Sequence, residues 1–308
     1  MDMNMNIHET DSMAQPLESR EVLLKLIPPH FKRTYGLRQV FTSGKKENVL
    51  KYEFSSTYVR TIAPGWRIFE IERKSALYIN DELPDSVADE LAARAGAVFY
   101  PLQIYADFEG SFAGVHNTSE IINRWFLLRP QLEEFFEGDF VGRYLNQMDR
   151  TLSDAHQILN AIGKDLFINS LFQNIYKKYP EQGTIKSRSA FPLIGYAEPL
   201  DFEIEESLKE TYNDSDQIEI RRWGHCCDLR SVADAIREDD FAAAEDTEEP
   251  LQGTYTARYG LNATTKSIEA MEVEWTLELE ENEKVFISLY EIPEPVEEKV
   301  PVKRSFII

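Results

Sequence analysis

Several signals that would place this chain in a familiar class of proteins are missing from its 308 residues. Only two of them are cysteines, which excludes a small scaffold held together by disulfides. No run of 18 consecutive apolar residues occurs, so the sequence predicts no transmembrane helix. The amino terminus has neither the basic region nor the apolar region of a secretory signal. We therefore expect a cytoplasmic protein that does not bind membranes.

Positive charge is also scarce. The chain carries 33 lysines and arginines against 54 aspartates and glutamates, a formal net charge of −21. Proteins that bind nucleic acid need a basic surface for the phosphates, so we expect no nucleic-acid partner. The acidity is concentrated in residues 201–308, which hold 28 acidic and 11 basic residues. Its densest run comprises Glu238, Asp239, Asp240, Glu245, Asp246, Glu248 and Glu249.

Familiar catalytic and cofactor-binding motifs are absent as well. The sequence has no HExxH zinc motif, no GxSxG nucleophile motif, no phosphate-binding P-loop and no GxGxxG dinucleotide motif. Cys226 and Cys227 are adjacent, so on a strand their side chains would point to opposite faces and could not share a metal ion. We therefore predict no metal, no cofactor and no catalytic residues.

Two parts of the chain show the alternation of apolar and polar residues that is typical of β-strands. In the first part, strands are predicted over residues 49–61, 66–77, 98–107 and 111–115. In the second part, the clearest strand covers residues 271–279, where every second residue is apolar and most of the others are glutamates. One buried face and one solvated face indicate an antiparallel sheet. The four tryptophans lie within amphipathic patterns, so we expect them in the core.

The central segment shows helical spacing instead. Apolar residues recur every three to four positions between residues 118 and 180, which indicates two or three packed helices. Asn117 and Glu120 are spaced as in a capping box, and Pro130 is expected to interrupt the helix that follows. A shorter helix is predicted over residues 85–95, between the predicted strands of the first part.

The two strand-rich parts share an order of elements. Each reads as two strands, a short helix and two strands, and both short helices contain Ser-Val-Ala-Asp, at residues 86–89 and 231–234. We predict an α+β fold with antiparallel sheets, in which a duplicated ββαββ unit flanks an inserted helical segment; the alternative is coincidence within an ordinary α+β fold. The predicted divisions are a mobile N-terminal arm (1–20), a ββαββ-type unit (21–117), the helical segment (118–180), a second, acidic ββαββ-type unit (181–292) and a proline-rich extended tail (293–308).

The charge pattern and the missing motifs together favour a non-catalytic binding protein, such as an adaptor, a chaperone or a toxin-neutralising protein. Its partner would be a basic protein held by the acidic C-terminal third, although a solvated loop that keeps the protein soluble is the plainer interpretation of the acidic run. The chain end, Phe306, Ile307 and Ile308, is a second candidate surface. Two alternatives stay open: a carrier of a small apolar ligand in a cavity between sheet and helices, and a hydrolase that uses an unrecognised pair of carboxylates.

Overall fold

The structure is a computed structural model that describes residues 21–27, 32–62, 65–195, 197–211, 217–232, 234, 250–279 and 281–293. Its strands are β1 (Glu21–Leu23), β2 (Lys32–Ser43), β3 (Lys46–Ile62), β4 (Trp66–Arg73), β5 (Tyr78–Ile79), β6 (Leu102–Ala106), β7 (Phe112–Val115), β8 (Lys178–Pro180), β9 (Ile185–Phe191), β10 (Leu200–Thr211), β11 (Gln217–Cys226), β12 (Gln252–Asn262), β13 (Ile268–Glu278) and β14 (Glu283–Ile292). Its helices are α1 (Val87–Gly96), α2 (Thr118–Phe135), α3 (Asp139–Thr151), α4 (Ala155–Gly163) and α5 (Leu166–Leu171), with a 3₁₀ turn at Ala97–Phe99.

Nearly all of these strands belong to one twelve-stranded sheet, whose neighbouring strands are all antiparallel. The order across the sheet is β7-β6-β4-β3-β2-β14-β13-β12-β11-β10-β9, with β5 beside β3. Strands β1 and β8 form a separate pair. The pairing of β2 with β14 joins the early strands to the late ones, and it places Leu37 opposite Leu289. The predicted α+β class with an antiparallel sheet is confirmed.

Strand β13 shows why this sequence forms a sheet with one buried face. Met271, Val273 and Trp275 are buried, whereas Glu272 and Glu278 are exposed. Side chains alternate between the two faces of a strand, so burial of the apolar set is possible only in this register. The buried set provides one wall of the core.

The face of the sheet that packs on α5 and the residues after it is called the inner face here. Phe54 on β3 contacts Phe167 edge-on, with ring centroids 4.9 Å apart. Phe69 on β4 contacts Phe172 in the same manner at 5.6 Å. On the other half of the sheet, the Tyr259 hydroxyl donates to the Ser170 carbonyl at 3.0 Å. The central segment therefore covers both halves of the inner face.

Two local predictions about α2 are wrong. Asn117 is the N-cap residue of α2, but its side chain makes no capping bond, because its Oδ1 accepts the backbone N–H of Gln103 at 2.9 Å and its Nδ2 donates to the Pro101 carbonyl at 2.8 Å. Pro130 does not interrupt the helix either. The carbonyl that Pro130 leaves without a helical donor belongs to Phe126, which lies on the exposed side of α2, where water can take the missing donor's place.

The prediction that all four tryptophans lie in the core is correct for two of them. Trp125 and Trp275 are buried, but Trp66 is 39% exposed and Trp223 is 40% exposed. Trp223 lies on β11 one position after Arg222, which is buried, so the alternation of the strand places the tryptophan on the outer face. On β11 the charged Arg222 is therefore buried, whereas the sequence pattern predicts that the neighbouring Trp223 is buried.

The two Ser-Val-Ala-Asp tetrapeptides share a local geometry. The backbone N–H of Asp89 donates to Ser86 Oγ, and that of Asp234 donates to Ser231 Oγ, each at 3.1 Å. The first serine caps α1, between β4 and β6; the second follows β11 and precedes β12. Duplication of a whole ββαββ unit is not confirmed and stays a prediction.

Candidate functional site

None of the sequence-predicted binding residues falls in the described part of the chain. This holds for the acidic run and for the apolar chain end, that is, for Glu238, Asp239, Asp240, Glu245, Asp246, Glu248, Glu249, Phe306, Ile307 and Ile308. The candidate site must therefore be sought elsewhere, in the residues whose positions are described.

A cavity between the inner face and the segment that covers it is the first candidate, and is called the Arg67 pocket here. Its volume is about 50 Å³ when measured as the space open to the centres of water-sized spheres. Its wall consists of Leu26, Tyr35, Ser56, Arg67, Phe69, Ala106, Asp107, Gly110, Leu171, Phe172, Tyr176, Ser267 and Ile268. Strands β2, β3, β4 and β6 form the floor, and residues around the β6–β7 turn and after α5 form the cover.

The alternation of β4 places Arg67 in this floor. Arg67 and Phe69 are separated by two positions, so their side chains point to the same face, and both are buried. Arg67 lies opposite Ala106 on the neighbouring strand β6. The short side chain of Ala106 leaves space beside the guanidinium, and this space is part of the pocket.

Arg67 is 9% exposed, and the hydrogen bonding of its guanidinium is incomplete. Nη2 donates to the Leu26 carbonyl at 3.2 Å, whereas Nε and Nη1 have no hydrogen-bond partner among the described residues. The guanidinium also lies 4.9 Å from the centre of the Phe108 ring. Because burial disfavours the charged form, it lowers the pKa of Arg67 below the ordinary value. An arginine still stays protonated there, since its ordinary pKa is far above neutral.

The two tyrosine hydroxyls in the wall of the pocket already have partners. The Tyr35 hydroxyl donates to the Ile268 carbonyl at 2.6 Å, and the Tyr176 hydroxyl donates to the Lys266 carbonyl at 3.0 Å. Burial raises the pKa of both tyrosines, so both remain neutral donors at physiological pH. These two bonds fix the rings in the wall, whereas the guanidinium of Arg67 has open donors.

The cover approaches the floor closely at the β6–β7 turn. Asp107 Oδ1 accepts the backbone N–H groups of Glu109 and Ser111, each at 2.9 Å, which shapes this turn. Gly110 has a φ of +97°, and a Cβ atom at this position would lie 2.7 Å from the Gln173 carbonyl oxygen. Only glycine combines this backbone conformation with so close an approach. The turn thereby brings Asp107 and Gly110 to the edge of the pocket.

A second polar group lies under the other half of the sheet and is called the Glu206 cluster here, after its central residue. Glu206 on β10 is fully buried and forms ion pairs with Lys177 and Arg222. The Arg222 Nε to Glu206 Oε2 distance is 3.5 Å, and Arg222 Nη1 also donates to Gln173 Oε1 at 2.7 Å. Gln173 belongs to the covering segment, so the cluster ties the cover to the sheet.

Glu206 offsets part of the positive charge of Lys177 and Arg222. Burial alone would lower the pKa of Arg222, but the neighbouring Tyr255, Tyr259 and Glu206 raise it above its ordinary value. Glu206 is held between these two cations, and Arg222 is in turn bonded to Gln173 of the covering segment. We therefore regard the Glu206 cluster as structural and the Arg67 pocket as the site that is open to a ligand.

In the described ranges, no three His, Cys, Asp or Glu side chains are grouped so that they could hold a metal ion. Cys226 is buried and Cys227 is half-buried, and both are free thiols. No helix of the described chain is both long and apolar enough to cross a membrane.

Sequence analysis did not identify the Arg67 pocket or the Glu206 cluster, although the strand patterns contained a signal for both. In each case a charged residue continues the apolar set of an alternating strand: Arg67 with Phe69 and Ile71, Glu206 with Phe202 and Ile204, and Arg222 with Ile218 and Ile220. A charged side chain that points to the buried face of a strand must be paired, hydrogen-bonded or functional. Which of these applies depends on neighbours that are distant in the sequence.

Comparisons with known proteins give little information. No protein-family model matches the sequence, and no curated protein matches it. A solved structure described as "Lipid-protein interactions in lipovitellin" is similar over 85% of this chain, with 8% sequence identity and a TM-score of 0.42. The matched region covers 25% of that chain. This likeness carries no argument about fold or function.

Proposed function

We propose that the protein is a non-catalytic carrier that binds a small ligand in the Arg67 pocket. The observation that carries this proposal is the cavity itself, which lies between a sheet and its cover and contains a buried side chain with unused hydrogen-bond donors. Ligand pockets are mostly apolar and contain a few polar groups that fix the orientation of the ligand. The Arg67 pocket has this composition, with Phe69 and Phe172 among its apolar residues.

A carrier is favoured over an enzyme by what surrounds the cavity. The tyrosine hydroxyls in the wall donate to backbone carbonyls, and Asp107 accepts two backbone N–H groups. Both tyrosine hydroxyls and one oxygen of Asp107 are thus held in structural bonds, which disfavours them as a general base or a nucleophile. The hydrolase alternative stays a prediction.

Native mass spectrometry tests the carrier directly. The protein is purified without denaturation and its mass is compared before and after unfolding, which reveals any small molecule that was bound. We expect a bound molecule in the wild-type protein and none in the variant Ala106→Leu, because the added atoms fill the space beside Arg67. Overpacking of this kind lowers stability by about 1–3 kcal/mol, which the fold is expected to tolerate.

The matched control is Ala113→Leu on the adjacent strand β7. Ala113 is exposed, so the same substitution there leaves the pocket unchanged. Retention of the bound molecule in Ala113→Leu together with its loss in Ala106→Leu would support the carrier. Equal retention in both variants, or a wild-type protein that neither contains nor takes up any small molecule, would refute it.

A basic protein partner remains a second proposal. Its support is the charge of the last third of the chain, to which the described residues add the exposed, outward-facing Glu272 and Glu278 of β13. Neutralising Glu245, Asp246, Glu248 and Glu249 together is expected to weaken binding of one basic protein at low salt. An unchanged affinity at low salt would contradict this second proposal.

A further inference from the structure

The open donors of Arg67 indicate what the ligand must supply. A guanidinium has five N–H donors, and Nε and Nη1 together carry three of them. None of these three has a partner in the described ranges, although the residue is only 9% exposed. A buried donor without an acceptor is unfavourable, and a buried charge without a counter-ion is more so. A ligand that contributes an acceptor with negative charge would satisfy both needs.

The charges of the pocket limit the ligand to at most one negative charge. Asp107 is the one carboxylate in the described wall of the pocket; it attracts Arg67 electrostatically, but no hydrogen bond or ion pair between the two side chains occurs there. The Asp107 carboxylate would repel a dianion more strongly than a monoanion, and one guanidinium cannot balance two further negative charges. A carboxylate carries one charge and accepts two parallel N–H groups from a guanidinium, whereas a phosphate dianion usually requires further cations.

The size of the pocket limits the remainder of the ligand. One water molecule needs about 10–15 Å³ by the same measure of volume, so the cavity of about 50 Å³ holds about three to five groups of that size. Phe69, Phe172 and Leu26 line this space, so a short hydrocarbon chain fits it better than a polar one. We propose that the Arg67 pocket binds a short-chain monocarboxylate, a ligand class that rests on the carrier function proposed above.

Isothermal titration with butanoate and butanamide tests this ligand class. The two probes have nearly the same shape, but only butanoate is charged. We expect butanoate to bind, and butanamide to bind about 30-fold more weakly or not at all, which is the lower end of the effect of breaking a buried charge pair. Because both probes are applied to the wild-type protein, this comparison does not depend on whether any variant folds.

The variants Arg67→Met and Arg67→Lys identify the residue that is responsible. Arg67→Met removes a buried charge whose Nε and Nη1 donors have no hydrogen-bond partner in the described chain, so we expect little loss of melting temperature but a complete loss of butanoate binding. Arg67→Lys keeps the charge but loses the planar donor geometry, so we expect weakened binding. Unchanged butanoate affinity in Arg67→Met would overturn the proposal.

Arg124 provides the matched control. Its guanidinium donates to the carbonyls of Val98, Phe99 and Pro101, so its donors have protein partners. Arg124→Met is therefore expected to lower the melting temperature and to leave the butanoate affinity unchanged. Equal binding of butanoate and butanamide would overturn the carboxylate proposal and leave the carrier function intact. If neither probe binds and no molecule co-purifies, both proposals are wrong.

Discussion

Two buried arginines of the inner face differ in the partners that surround them. Arg67 and Arg222 are both buried arginines on strands, but Arg222 has Glu206 and Gln173 as partners, whereas three N–H donors of Arg67 have none in the described chain. The same residue type is thus structural at one position and open to a ligand at the other. The difference arises from the neighbours that the sheet register supplies, since β10 lies beside β11 and places a carboxylate next to Arg222.

The first residue-scale prediction concerns Glu206. Glu206→Gln removes the only carboxylate that faces Lys177 and Arg222 in the described cluster, leaving the buried Arg222 and the half-buried Lys177 without a counter-ion. We expect a loss of about 3–5 kcal/mol in the free energy of unfolding, measured with urea. The control is Glu205→Gln, which lies one position along β10 on the opposite face. Glu205 forms a surface ion pair with Lys186, so we expect the free energy of unfolding to fall by less than about 1 kcal/mol. Equal losses of unfolding free energy in the two variants would show that Glu206 does not stabilise the charges of Lys177 and Arg222.

The second residue-scale prediction concerns acid stability. Arg230 donates from Nε and Nη2 to both oxygens of Asp228, and this lowers the pKa of Asp228 from 3.8 to about 2. The pKa of Asp228 is lower in the folded state than in the unfolded state. The stabilisation that its ion pair with Arg230 provides is therefore complete above about pH 4 and is lost as the pH falls toward 2. A shift of this size corresponds to about 2 kcal/mol. We expect the stability difference between wild type and Asp228→Asn to shrink over this range, as measured by urea unfolding at several pH values. A difference that stays constant from pH 5 to pH 2 would contradict the linkage.

At the scale of elements, helix α1 depends on one serine. Ser86 Oγ accepts the backbone N–H of Asp89, and its hydroxyl donates to the Asp89 carboxylate at 2.6 Å. We expect Ser86→Ala to reduce the free energy of unfolding by about 1 kcal/mol, and Ser86→Gly by only a few tenths, because glycine tolerates the cap position. Urea unfolding followed by circular dichroism measures both. Equal losses for alanine and glycine would exclude a capping role.

The second tetrapeptide offers the same test. Ser231 accepts the N–H of Asp234 in the same geometry, so Ser231→Ala is expected to cause a loss of similar size. A much smaller loss would show that the shared sequence has no shared structural role, which would weaken the hypothesis of a duplicated unit.

Sequence patterns predicted elements far better than they predicted the site. The alternation of residues 271–279 correctly predicted which side chains of β13 are buried, because the two-residue period is a local property. Asn117 was assigned to the helix that follows it, yet its side chain bonds to the backbone of Gln103, a contact that depends on the fold. The Arg67 pocket depends still more on long-range contacts, since Ile268 contributes to its wall from 201 positions further along the chain.

At the scale of the whole molecule, the sheet joins the two predicted strand-rich units. Strands β2 and β14 pair over ten positions, from Ser43 opposite Glu283 to Thr34 opposite Ile292. This pairing of β2 with β14, called the seam here, lies in the middle of the sheet. The two halves of the sheet can therefore separate only if the backbone hydrogen bonds between β2 and β14 break. We therefore expect residues 21–117 and 181–292 to unfold as one cooperative unit rather than as separate domains.

The last prediction tests this cooperativity with a substitution at the seam. Ile287 on β14 is fully buried, and Ile287→Ala is expected to lower the free energy of unfolding by about 2–5 kcal/mol. Hydrogen exchange then reports where the protection is lost. If the sheet is one unit, the most protected amides of β3 and of β12 lose the same amount, although neither strand is adjacent to β14. The control is Lys284→Ala on the same strand. The Lys284 side chain is 45% exposed, so we expect little change in the protection of β3 or β12. A loss confined to β12 and its neighbours, with β3 unchanged, would instead show that the chain folds as independent units joined at this seam.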